Sequence, residues 1–97
     1  MILSLSGSLC RADRDSVRAL LAAGRGPYVI LDLSPVVRMD RAIIDEIVRW
    51  RNALTARGER PALSVRVGSQ TATMLRSERI DRLIRIFPTP EWALQAA

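Results

Sequence analysis

The chain has 97 residues, 15 basic and 10 acidic side chains, and a formal charge of +5 at pH 7. Every basic residue is arginine, so there is no lysine for a Walker A loop or a Schiff base; no histidine is present for a Ser-His-Asp triad or a histidine-based zinc or haem site. A single cysteine, Cys10, excludes an internal disulfide framework, and the hydrophobic share of 48% suits one domain over 1–97 with one core.

Residues 2–6 alternate in polarity and stop at Gly7, which predicts a strand and a turn. Residues 1–10 are mildly apolar but lack a basic start, and charges follow at once at Arg11, Asp13 and Arg14. They suit neither a signal peptide nor a membrane span, and the single cysteine suits a reducing, cytoplasmic setting. From 13 to 23, Val17, Leu20 and Leu21 share a face that continues to Gly24, with Arg14 and Arg18 opposite, the pattern of an amphipathic helix. The run from 28 to 33 is continuously apolar up to Asp32, typical of a strand buried on both faces.

Asp40 is a good N-cap for a second helix, whose apolar side carries Ile43, Ile44, Ile47, Val48, Trp50 and Leu54. Its polar side holds Arg41, Asp45, Arg49 and Asn52, with Asp45 and Arg49 spaced for an ion pair. Gly58 closes this helix. Residues 62–67 alternate as a strand with Leu63, Val65 and Val67 on one face, and Ser69 is placed to cap a short helix through Leu75. Ile80, Leu83, Ile84 and Ile86 predict a turn and a last strand. Thr89, Pro90 and Glu91 then start a closing helix expected to turn Trp92, Ala93 and Leu94 inward. The resulting order, β-α-β-α-β-α-β-α, makes the fold class α/β, a small, mostly parallel sheet flanked by about four helices.

Arg76, Arg79, Arg82 and Arg85 recur every third residue but are interleaved with Glu78 and Asp81. A mixed solvated face is expected there. With only two tryptophans, one tyrosine and one phenylalanine for base stacking, no nucleic-acid partner is expected. The exclusive use of arginine suits a GC-rich bacterial coding sequence.

The segment VILDLSPVVRMD at 29–40, followed by an isoleucine-rich helix, resembles the signature of STAS domains. This family includes anti-sigma-factor antagonists and domains of sulfate transporters and lipid-trafficking ABC systems. LSGSL at 5–9, the helix exit and strand from Gly58 to Val67, and TPEWAL at 89–94 fit the family in the same order. The resemblance implies a non-enzymatic module without a cofactor or bound metal, one that binds an anti-sigma factor or kinase-like protein and thereby regulates a sigma factor. The alternative it implies is a soluble STAS subunit of a lipid-transporting ABC system, without membrane insertion of its own.

Two departures from the family bear on regulation. Antagonists of this kind carry a phosphorylated hydroxyl residue two positions after the aspartate at the second helix; here Asp40 is followed by Arg41 and Ala42, so the acceptor position is alanine. The first turn of the family also tends to be acidic where this chain has Cys10. Ser34, Ser69 and Thr71 remain as other hydroxyls to which phosphorylation could move. Family members often carry a further strand ahead of 2–6, so the strand at 2–6 is expected near an uncovered sheet edge, open to homodimer formation or to a strand donated by a partner.

The candidate partner-binding residues are therefore Asp40, Arg41, Ala42 and Asp45 at the second helix, with Ser8, Cys10 and Ser69 on adjoining loops. Each has a plainer reading beside the functional one. Asp40 serves as an N-cap. Arg41 pairs with Asp40 or Asp45, or else contacts an acidic partner. Cys10 is an inert small side chain. Asp32 bonds neighbouring loop amides. Trp50 and Trp92 belong in or near the core, and either becomes an interface anchor if exposed.

Overall fold

The computed structural model describes residues 1–97. Its elements are β1 (Ile2–Ser4), β2 (Gly7–Leu9), α1 (Arg14–Ala22), β3 (Tyr28–Asp32), β4 (Val36–Met39), α2 (Arg41–Ala56), β5 (Arg60–Ser64), α3 (Gln70–Ser77), β6 (Arg85–Phe87) and α4 (Pro90–Gln95). Short 3-10 turns precede α1 at Arg11–Asp13 and β6 at Ile80–Arg82. The main sheet runs β1-β3-β5-β6 and every pairing in it is parallel, as expected where helices separate the strands.

Register decides which side chains meet. Leu3, Leu31, Leu63 and Ile86 lie side by side across the four strands. The first three join the main core with Ile43, Ile47 and Leu54 of α2 and Val17 and Leu21 of α1. The opposite face is thinner: Ile30 and Ala62 pack with Ala93 of α4, and Tyr28 flanks them while donating its hydroxyl to the Ala93 carbonyl at 2.8 Å. Small residues at 62 and 93 let the six-residue α4 settle close to the sheet.

Gly24 lets the end of α1 lie close against β1 and β3. A Cβ there would lie 3.1 Å from Val29 Cγ1 and 3.2 Å from Leu3 Cδ1. At the end of α2, Gly58 takes a φ of 76°, a left-handed value that favours glycine.

Several expectations are corrected. Residues 36–39 form β4, which pairs in parallel with β2 as a separate two-stranded ribbon. The sequence carries no strand pattern there, because its apolar residues are interrupted by Arg38 and follow Pro35. Residues 11–13 form a 3-10 turn, so α1 proper begins at Arg14. β5 ends at Ser64, and Val67 is exposed beyond it. Trp92 is 61% exposed and Leu94 is exposed as well, because α4 packs on Ile30 and Ala62 through Ala93. Trp50, by contrast, is buried as expected. β1 forms one edge of the main sheet, paired only with β3.

Candidate functional site

The β2–β4 ribbon exists to deliver the start of α2. Its ladder continues one step past the strands, where the Asp40 N–H donates to the Leu9 carbonyl at 3.0 Å. The chain leaving β2 and the chain entering α2 are thereby fixed beside each other. Asp40 then adds a second tie: its Oδ2 accepts the Arg11 N–H at 3.1 Å. The expected N-cap role is corrected here. Asp40 has the extended backbone of a capping residue, but its side chain makes no capping bond. The carboxylate is turned across to the 3-10 turn instead.

On this corner Arg11, Arg14, Asp40, Arg41, Ala42 and Asp45 surround one shallow depression. Three guanidinium groups face two carboxylates, so the surface is mixed with a basic excess. Arg41 is 76% exposed and pairs with neither Asp40 nor Asp45; its Nη1 lies 3.3 Å from Oε1 of Glu78, at the end of α3. This corrects the expected pairing. A cation in the first turn is opposed by the helix dipole, and Glu78 offsets that by about 1 kcal/mol at most for so exposed a pair. Asp45 is exposed, and the anticipated pair with Arg49 does not form; Arg49 instead approaches Glu46 to 3.9 Å.

Ala42 is half-buried and has no side-chain oxygen. Cys10 is a free, exposed thiol adjoining Arg11, and its N–H donates to Asp13 Oδ2 at 2.8 Å. Ser8 is exposed on β2, in register with Arg38 of β4. Ser69 stands apart. It caps α3, accepting the Ala72 N–H at 3.1 Å and donating to the Arg66 carbonyl at 2.7 Å. The length of α3, about 13 Å at 1.5 Å per residue, separates it from the contact between Arg41 and Glu78.

The other hydroxyls are also constrained. Thr71 is buried and donates to the Val36 carbonyl at 3.2 Å, tying α3 to β4. Ser34 lies in the turn after β3, where Asp32 Oδ1 accepts its N–H at 3.0 Å and also the Ser64 hydroxyl at 3.0 Å. Asp32 thus bonds a loop amide as expected.

Sequence reasoning missed Arg11, Arg14 and Glu78, which lie far apart in sequence and meet at this corner only through the fold. It also missed Glu46, which is only 2% exposed. Arg18 of α1 holds Glu46 with two bonds, Nη2 to Oε1 at 2.6 Å and Nε to Oε2 at 3.1 Å. That hydrogen bonding holds the Glu46 carboxyl below its ordinary value against the opposing effect of burial, and it raises the Arg18 guanidinium. A signal was present: Glu46 falls three residues after Ile43 and four before Trp50, on the apolar stripe of α2. No group of three or more potential metal-ligating side chains exists, and no helix is long and apolar enough to cross a membrane.

Comparison with known proteins finds no matching family model and no matching curated protein. Solved structures do match. A sulfate transporter family protein from Wolinella succinogenes superposes with a TM-score of 0.82 at 18% identity, over 98% of this chain and 81% of that one. The STAS domain of a SulP transporter from Vibrio cholerae gives 0.73 at 22% identity, over 98% and 77%. An anti-sigma factor antagonist from Mycobacterium paratuberculosis gives 0.77 at 19% identity, over 98% and 82%. The chain has the STAS fold.

Proposed function

We propose that this chain is a non-enzymatic protein-interaction module whose docking surface is the corner where the β2–β4 ribbon meets the start of α2. Its partner is a kinase-like anti-sigma factor, and binding it releases a sigma factor in the bacterial cytoplasm. The observation that carries this reading is the construction of the corner. Two backbone strands and the contact from Asp40 to Arg11 hold Arg41 and Asp45 outward, beside the half-buried Ala42, on a hydrogen-bonded base. Rigid presentation of exposed charges suits recognition, because little ordering is lost on binding. Similarity of fold to an anti-sigma factor antagonist supports the choice of partner.

With alanine at 42, phosphate cannot be added there to repel the partner. Binding at this corner is then set by availability of the partner and not by a covalent switch at that residue. A second reading, an accessory domain of a transport system, is favoured by the fold similarity to a sulfate transporter family protein and a SulP domain.

Affinity capture from the native cells with wild-type and R41E baits tests both. Recovery of an anti-sigma factor by the wild type, reduced for R41E, is the expected result. Recovery of a permease or transport ATPase in its place supports the second reading. Equal capture of partners by both baits contradicts the assignment of the surface.

A further inference from the structure

We propose that the cleft between α1 and α2 binds a small amphipathic anion, a carboxylate carrying a hydrocarbon or aromatic tail. This site is separate from the corner at Asp40 and does not depend on the docking assignment. The cleft has a volume of about 290 Å³, close to the lower end for small-molecule sites. Its floor is apolar: Leu21 of α1 faces Leu54 and Trp50 of α2, all three buried. The Trp50 indole Nε1 is buried with no acceptor. That uncompensated donor sits on a residue that lines the cleft and marks its floor as imperfectly satisfied in the protein alone.

The rim supplies the sign of the ligand. Four arginines line it, and two of them are already neutralised: Arg18 by Glu46, and Arg57 by Glu59. The other two make no hydrogen bond to a carboxylate. Arg25 donates only to the carbonyls of Ala22 and Gly24, at 2.6 and 2.9 Å. Arg49 comes no closer than 3.9 Å to Glu46, whose two oxygens are both held by Arg18. Two guanidinium groups without a carboxylate hydrogen bond therefore stand over a hydrophobic floor. A carboxylate head between Arg25 and Arg49 with its tail on Leu21, Trp50 and Leu54 satisfies charge and surface together.

The test uses W92F protein, in which Trp50 is the only tryptophan. Octanoate below its micellar range is titrated while Trp50 emission is followed, with 1-octanol as the uncharged control of equal length. Expected are a saturable change with octanoate, at least ten-fold weaker binding of octanol, and loss of that preference in R25A and R49A. Arg49 is exposed and makes no hydrogen bond, so R49A should melt as the parent does; R25A loses its bonds to the Ala22 and Gly24 carbonyls and is titrated well below its own melting temperature. Amide resonances of residues 18–25 and 46–57 should shift selectively on addition of octanoate. No saturable change, equal responses to acid and alcohol, an unaltered preference in both arginine variants, or shifts confined to other elements would each overturn the site.

Discussion

The carboxylate of Asp40 accepts its hydrogen bond from the backbone of Arg11, 29 residues earlier, and makes none to its own helix. The residue therefore acts as a clasp between two chain segments. Replacing it should cost about 1 kcal/mol, the ordinary contribution of one such bond, or a fall of roughly 4–8 °C in Tm. Denaturant and thermal melts of D40A and D40N check this, with D40N the milder because its side-chain oxygen still accepts. An asparagine or alanine at 40 should also loosen the 3-10 turn at Arg11–Asp13, seen as faster amide exchange there.

The ion pair from Arg18 to Glu46 sets a pH dependence. The folded-state carboxyl of Glu46 lies below the ordinary value of 4.5. Its charged form therefore stabilises the fold at neutral pH, and that contribution disappears as pH falls below about 4.5 and through the folded value. The stability difference between wild type and E46Q should be constant above pH 6 and shrink below pH 4.5. R18A leaves the buried carboxylate without its partner, and its melting temperature should fall by more than that of E46Q at pH 7.

Ala42 offers no oxygen for phosphate, so the proposed docking corner has no covalent switch at that residue. Incubation with the cognate kinase and ATP should leave residues 40–44 of the wild type unmodified. A42S should gain phosphate at 42, read by peptide mass spectrometry, provided the same kinase docks at this corner. Thr71 should stay unmodified in the folded protein, since it is buried against β4. T71V should destabilise by about 1–3 kcal/mol by leaving the Val36 carbonyl unpaired.

Trp92 is held on α4 by neighbours that do not cover it. W92A should change folding stability by about 0.5 kcal/mol or less, whereas W50A should cost about 3–5 kcal/mol. Equilibrium unfolding separates the two directly.

The alternation of apolar and polar residues made the parallel α/β arrangement legible, together with Gly24, Gly58 and the Thr89-Pro90 helix start. What escaped was whatever depends on partners distant in sequence. β4 has no pattern of its own and forms because β2 supplies its hydrogen bonds. Which side of α4 turns inward depends on Ile30 and Ala62, distant residues against which Ala93 packs, and this leaves Trp92 outside. That Asp40, Arg41, Ala42 and Asp45 stand at the start of a helix was legible in the sequence. Their true contacts, Arg11 and Glu78, come from elements that reach the corner only after folding. Ser69, grouped with them by sequence, caps α3 at a separate place.

Calorimetric titration of the purified anti-sigma factor into wild-type, R41E, D45R and R49A proteins is the most direct measurement. Affinity should fall at least ten-fold for R41E and D45R at unchanged melting temperature, and R49A, which lies outside the corner, should bind as the wild type does. No binding by the wild type, or equal affinity across all four proteins, would contradict a docking surface at the start of α2.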